Sequence, residues 1–172
     1  MGLTVIRRTK PTTGEMKISE EFLNESRRKG EEGESLFSQC CESKGLKWIK
    51  STRNEDMYSH IDGYVTDGSV SISVDVKGAK ERVCLEFKNV RGNDGWIYGK
   101  ASQIAFLSPD KTYFLLVPRE VLMTYAETFM FKPIRNTKDL YYLYSRIGRD
   151  DIMTFCTFND LHQLENTKTW EL

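Results

Sequence analysis

Two carboxylates and an ammonium, those of Asp62, Asp75 and Lys77, have the types and spacing to act together. Asp75 and Lys77 stand two residues apart in Ser69-Val70-Ser71-Ile72-Ser73-Val74-Asp75-Val76-Lys77-Gly78. Successive side chains of a strand point to opposite faces. Val70, Ile72, Val74 and Val76 are therefore expected on a buried face, and Ser71, Ser73, Asp75 and Lys77 on the other. A second strand is read over residues 59–66 and carries Asp62. The turn Thr66-Asp67-Gly68-Ser69 joins it to the strand over 69–77, since Asp-Gly between alternating runs favours a tight hairpin. Antiparallel pairing about that turn places both acids on one face. Two carboxylates suit a hard divalent cation such as Mg²⁺ or Mn²⁺, and a neighbouring lysine can offset charge developing on a phosphate. The plainer account of the same residues is an Asp–Lys pair on a solvated strand face.

These groups need positioning elements. A helical pattern is read from about Ser19, as N-cap with Glu20 and Glu21 in the first turn, to about Lys44, with Gly45 as its stop. Gly30 and Gly33 suggest a break within it. Leu36, Phe37, Cys40 and Cys41 form an apolar stripe, and Glu34 lies at its edge, a third acid able to approach the hairpin. Leu46–Lys50 is a short strand candidate and residues 51–59 a polar loop. The next strand, 82–89, contains Glu86-Phe87-Lys88, a second acid-x-lysine pattern. Spacing leaves open which pair, Asp75/Lys77 or Glu86/Lys88, faces a metal. Ala101–Phe106 is read as helical or irregular, Thr112–Val117 as a strand covered on both faces, and Pro118 to about Met130 as a helix. Strands over 140–146 and 151–157 and a last turn capped by Asn159 complete the pattern. The whole is one mixed α/β domain spanning 1–172, with a core over about 18–130 and an extension over 131–172. The first 17 residues are read as a polar arm.

Composition narrows the partners. Lys+Arg and Asp+Glu balance at 25 each in 172 residues, so the net charge is zero and charge alone does not bind nucleic acid. Residues 77–100 are locally basic, with Lys77, Lys80, Arg82, Lys88, Arg91 and Lys100, and Trp96 and Tyr98 interleave with them. Basic and aromatic residues together suit a phosphate backbone and an unstacked base. Lys80, Arg91, Trp96, Lys100 and Gln103 are the nucleic-acid-binding candidates. The four cysteines show no C-x-x-C and read as reduced thiols of a cytoplasmic protein. The N-terminus lacks a signal-peptide pattern and no stretch approaches a membrane span. His60 shares the strand of Asp62; His162 reads as a surface or structural histidine. No nucleophile elbow or Cys–His neighbour supports covalent catalysis.

Several of these residues carry a resemblance. Gly30-x-x-Gly33-Glu34 opening a helix, His60-x-Asp62 on a strand, Val74-Asp75-Val76-Lys77-Gly78 on the next, and the segment from Glu86 through Trp96-Ile97-Tyr98-Gly99-Lys100-Ala101 to Ile104-Ala105-Phe106 make the chain similar to the PD-(D/E)XK nuclease superfamily. The likeness is to its Holliday-junction-resolvase-like and phage-type members, over roughly residues 30–120. Ile61 stands where the family usually has proline. The resemblance implies a restriction-endonuclease-like αβββαβ core, a mixed central sheet flanked by helices. It also implies Mg²⁺- or Mn²⁺-dependent cleavage of DNA, with RNA left open, by an endonuclease that is phage-encoded and structure-selective. Under it, Asp62, Asp75 and Glu34 are metal ligands and Lys77 the catalytic lysine. A homodimer through the aromatic strand Leu140–Tyr144 is a further expectation, as is the alternative of a fold-sharing module that binds nucleic acid or protein without catalysis.

Overall fold

The computed structural model describes residues 13–172, the side chains of 13–20 and 22 excepted; most of the predicted N-terminal arm and the Ser19 cap side chain lie outside the described residues. Helix α1 (Thr13–Ser43) leads into strand β1 (Lys47–Lys50), helix α2 (Arg53–Ser59) and strands β2 (Gly63–Thr66), β3 (Ser71–Lys77) and β4 (Arg82–Lys88). A 3-10 turn (Trp96–Tyr98) precedes β5 (Gln103–Leu107) and β6 (Tyr113–Pro118). Helix α3 (Arg119–Glu127), the short strands β7 (Ile134–Arg135) and β8 (Leu143–Tyr144), β9 (Ile152–Thr157), helix α4 (Phe158–His162) and β10 (Lys168–Glu171) follow. None of the described helices is long and apolar enough to cross a membrane.

The strands form two mixed sheets. The larger has the order β1-β2-β3-β5-β6-β10, antiparallel except where β3 and β5 run parallel. The smaller has the order β4-β9-β8-β7. Helix α1 lays Phe37, Cys40 and Cys41 against Val74, Val76, Ala105, Leu107, Phe114 and Leu116 of the larger sheet. The opposite face, with Ile104, Phe106, Leu115 and Val117, packs on Val83, Leu85, Phe87 and Cys156 of the smaller sheet and on Leu122 and Leu161 of α3 and α4. Strands β5 and β6 are thus covered on both sides, which is why their sequences are continuously apolar.

That double burial explains one correction. Residues 103–107 are a central strand, whereas Ala101–Phe106 read as helical or irregular. An unbroken apolar run carries no period to separate the two. A second correction concerns the expected meander of 59–66, 69–77 and 82–89. Only the first two strands pair, while β4 leaves for the second sheet and pairs with β9. The free edge of β3 is taken by β5, and the alternating Val83, Leu85 and Phe87 of β4 close over the face of the larger sheet instead.

Smaller corrections have local causes. Helix α1 runs unbroken through Gly30 and Gly33. A Cβ at Gly78 would meet the Lys29 carbonyl at 3.0 Å, so the absent side chain there lets the helix lie close on the end of β3. Residues 53–59, read as loop, are a helix because Thr52 and Glu55 form a reciprocal capping box. Val70 and Ile72 are 61% and 43% exposed, because the apolar cover from α1 reaches only the second half of β3. The strand expected over 140–146 contracts to Leu143–Tyr144, behind Tyr141 at φ 65°. The final helix is capped by Thr157, not Asn159.

Candidate functional site at the end of the central sheet

The Asp67-Gly68 turn forms as expected. Gly68 takes φ 97°, and the Asp67 carboxylate accepts the N–H groups of Ser69 and Val70. The register it imposes pairs Gly63 with Val74. Asp62, one residue before β2, is bonded to the same stretch of β3 and lies close enough to Asp75 to feel its charge. The N–H of Asp62 donates to the Val74 carbonyl at 2.9 Å, and the N–H of Val76 donates to Asp62 Oδ2 at 2.6 Å. Burial, together with the negative charge of Asp75, pushes the Asp62 carboxyl up to about 7, against the pull of the Val76 amide and Lys77. Glu34 adds a smaller push in the same direction.

Asp75 is only 1% exposed. Lys77 Nζ lies 2.7 Å from its Oδ1 and Arg119 Nη2 3.1 Å from its Oδ2. A carboxylate so buried requires such partners, since leaving it unpaired costs several kcal/mol. Arg119, the first residue of α3, was absent from the sequence-based candidates. Its guanidinium also donates to the carbonyls of Ala101 at 2.6 Å, Ile97 at 3.1 Å and Trp96. It therefore ties the 3-10 turn and the start of β5 to the acid. The only local signal was an arginine directly after Pro118 at a helix start, which carries no mark of a buried role.

Glu34 approaches from α1, in mid-helix and not at a helix start. It pairs with Lys50 of β1 at 2.9 Å, and that contact holds the Lys50 ammonium above its usual range. Glu34, Lys50, Asp56 and Asp62 line one cavity of about 250 Å³ with Ser51, Thr52 and Arg53. Glu34 and Asp62 thus share a cavity that Asp75 does not line, and Asp62 feels the charge of both other acids. Among the described residues, no set of three or more His, Cys, Asp and Glu side chains is clustered as a ready-made metal cage.

The competing pair resolves differently from its sequence pattern. Glu86 and Lys88 do not act as a unit: the pairing of β4 with β9 shifts register between them, and Lys88 is exposed. Glu86 instead faces the Lys77 side. Burial raises its carboxyl, partly offset by the Trp96 amide and by Lys77. The Lys77 ammonium lies 4.5 Å from the centre of the Trp96 ring. Trp96 is held there by Gly95, whose N–H donates to the Phe87 carbonyl at 2.8 Å; a Cβ at Gly95 would run into the Glu86 carbonyl.

The five nucleic-acid candidates fall in three places. Lys80 and Trp96 border the cavity between β3 and β4 with Lys77 and Glu86. Arg91 lies in a cleft with Tyr58, His60 and Asn93. Lys100 and Gln103 line another beside Arg119. The strand expected over 59–66 begins at Gly63, so neither His60 nor Asp62 lies on it. His60 caps α2 with φ 50°, and burial lowers its imidazole below the usual range. The four cysteines are free thiols, with burial pushing Cys41 up to about 12. Comparison with protein-family models, curated protein sequences and solved structures returned no match to this chain.

Proposed function

We propose that the chain is a metal-dependent nuclease that hydrolyses DNA phosphodiester bonds, with a restriction-endonuclease-like core. The observation that carries this reading is the closeness of Asp62, just before β2, to Asp75 and Val76 of β3, with Lys77 on the same strand end. The run β1-β2-β3-β5, antiparallel and then parallel, with α1 on one face, supports part of the αβββαβ core that the resemblance implies, whereas the crossover from β3 to β5 passes through β4 and the 3-10 turn and not through a helix. The donor chemistry fits a hard cation. Burial and, after it, the nearby Asp75 charge push the Asp62 carboxyl up to about 7, and a divalent ion beside it would offset both. Asp62 and Asp75 would hold it, with Glu34 across the cavity from Asp62 as the further acid. When bound, such an ion supplies an acidified water and polarises the phosphate.

The chain's own residues divide the remaining work. Lys77, on Asp75 and over Trp96, would offer its ammonium to the charge that develops on the phosphate. Arg119 is a positioning residue, since all its contacts are with Asp75 and backbone carbonyls. A second reading, a nucleic-acid-binding or protein-interaction module without catalysis, is favoured by one observation: both oxygens of Asp75 are already engaged by cations.

The test is cleavage of plasmid, branched and single-stranded DNA with Mg²⁺ or Mn²⁺ by wild type, Asp62→Asn and Lys77→Ala, with thermal melting in both metals. Cleavage by wild type, at least a hundredfold weaker in either variant, supports the nuclease. Undiminished cutting by Lys77→Ala sinks the site. Binding of DNA without cutting, in either metal, supports the second reading.

A further inference from the structure

A cavity of about 280 Å³ opens between the end of β3 and β4, next to the candidate site but on the far side of Lys77 from Asp75. Its walls combine an aromatic corner, a carboxylate and two ammonium groups. Trp96 and Phe106 meet edge-on at 6.2 Å, and Val83 and Cys84 continue the apolar wall. Glu86 is half-buried and lines the cavity, while Lys80 is exposed at its rim. The volume lies just below the usual range of ligand pockets, about 300–1,000 Å³, and so suits one ring system and not a whole oligonucleotide.

We propose that this cavity receives a single unstacked base of the nucleic acid, with guanine preferred, its edge on Glu86 and its phosphate toward Lys80. This deepens the nuclease reading and rests on it for the identity of the polymer. The chemistry follows from the groups present. A planar apolar ring fits between aromatic and aliphatic walls, and base–aromatic contact is tolerant of sequence. Discrimination then falls to Glu86, the one carboxylate among the lining residues. The Glu86 carboxylate has only acceptor oxygens when ionised, and guanine presents adjacent N1–H and N2–H donors on one edge. Adenine and uracil present at most one donor beside an acceptor there. Lys77, held between Asp75 and Trp96, would link base capture to the phosphodiester on the other side. The Glu86 position is built and not incidental, because Gly95 brings the Trp96 turn into contact with the β4 backbone at that residue.

The test uses the whole chain without metal and the mononucleotides GMP, AMP, CMP and UMP as probes, by calorimetry and by tryptophan fluorescence. GMP is expected to bind at least about tenfold more tightly than AMP or UMP, the scale of one bidentate edge contact. Glu86→Gln is expected to abolish that preference, and Lys80→Ala to weaken all four alike. Thermal melts confirm that Glu86→Gln is folded, and Lys80→Ala alters only an exposed side chain. Absence of GMP binding, equal binding of the four nucleotides, or an unchanged preference in Glu86→Gln overturns the proposal. Cleavage plays no part in this readout. GMP selectivity in a protein that never cuts leaves the pocket standing and the nuclease reading fallen; cutting without GMP selectivity does the reverse.

Discussion

Replacing Arg119 by methionine would remove one side chain that holds four groups together. Arg119 is 5% exposed and donates to Asp75 and to three backbone carbonyls. After Arg119→Met, Asp75 keeps only Lys77, and the carbonyls of Trp96, Ile97 and Ala101 lose their donor. Breaking a buried ion pair on one side typically costs about 3–5 kcal/mol, and each orphaned buried acceptor about 1–3 kcal/mol before water relieves it. A cleft borders Arg119, so water reaches part of the vacated space and the lower figure governs the total. A loss of about 3–5 kcal/mol corresponds, for a chain of this size, to a fall in Tm of roughly 6–20 °C. The double variant Arg119→Met/Asp75→Asn removes the uncompensated charge as well, and should recover at least about 1 kcal/mol relative to additivity. The assay is urea and thermal unfolding of wild type, both single variants and the double variant at one pH. A cost below about 1 kcal/mol for Arg119→Met, or strict additivity in the double variant, would refute the view that Arg119 compensates a buried Asp75.

The remaining predictions concern charge and backbone. The folded chain holds the Asp62 proton to about pH 7, whereas an unperturbed aspartate releases it near 3.8. Wild-type stability therefore falls as pH rises through that window and stays lower above it. Asp62→Asn keeps an acceptor for the Val76 amide and escapes this loss. Its advantage should grow from pH 4 to pH 8, to no more than about 4 kcal/mol, in urea melts; a difference constant across that range would count against the buried, acid-facing environment. A Cβ added at Gly30 would meet nothing within 4 Å, so Gly30→Ala should stabilise α1 by about 0.5–1 kcal/mol, read from the same melts. Gly95→Ala should instead destabilise and shift tryptophan emission, because its Cβ would strike the Glu86 carbonyl; a silent Gly95→Ala would show that the 3-10 turn is not seated on β4 as described.

Several features were legible in the residues because their causes are local. The Asp67-Gly68 turn is one, since its geometry needs only a short carboxylate and a residue tolerant of positive φ. The stripe of Phe37, Cys40 and Cys41 is another, and all three are buried against the sheet. The closeness of Asp62 to β3 followed from the turn, although Asp62 itself lies one residue before β2. What failed was also instructive. Residues 103–107 lacked a period because both faces are covered, and the pattern of β4 was correct while its partner was not. A period of two says that one face is buried, but not against which sheet.

The identity and order of the reactive groups, the hairpin register and the helix stripe that carries Glu34 all depend on neighbours within a few residues, and so they could be read along the chain. The charge balance of the site could not. Arg119 reaches Asp75 across 44 residues, Lys50 of β1 takes Glu34 from α1, and Lys77 stands between Asp75 and the Trp96–Glu86 cavity. Ion pairs and cavities are set by how whole elements stack, and burial of a carboxylate is known only once the elements that cover it are in place.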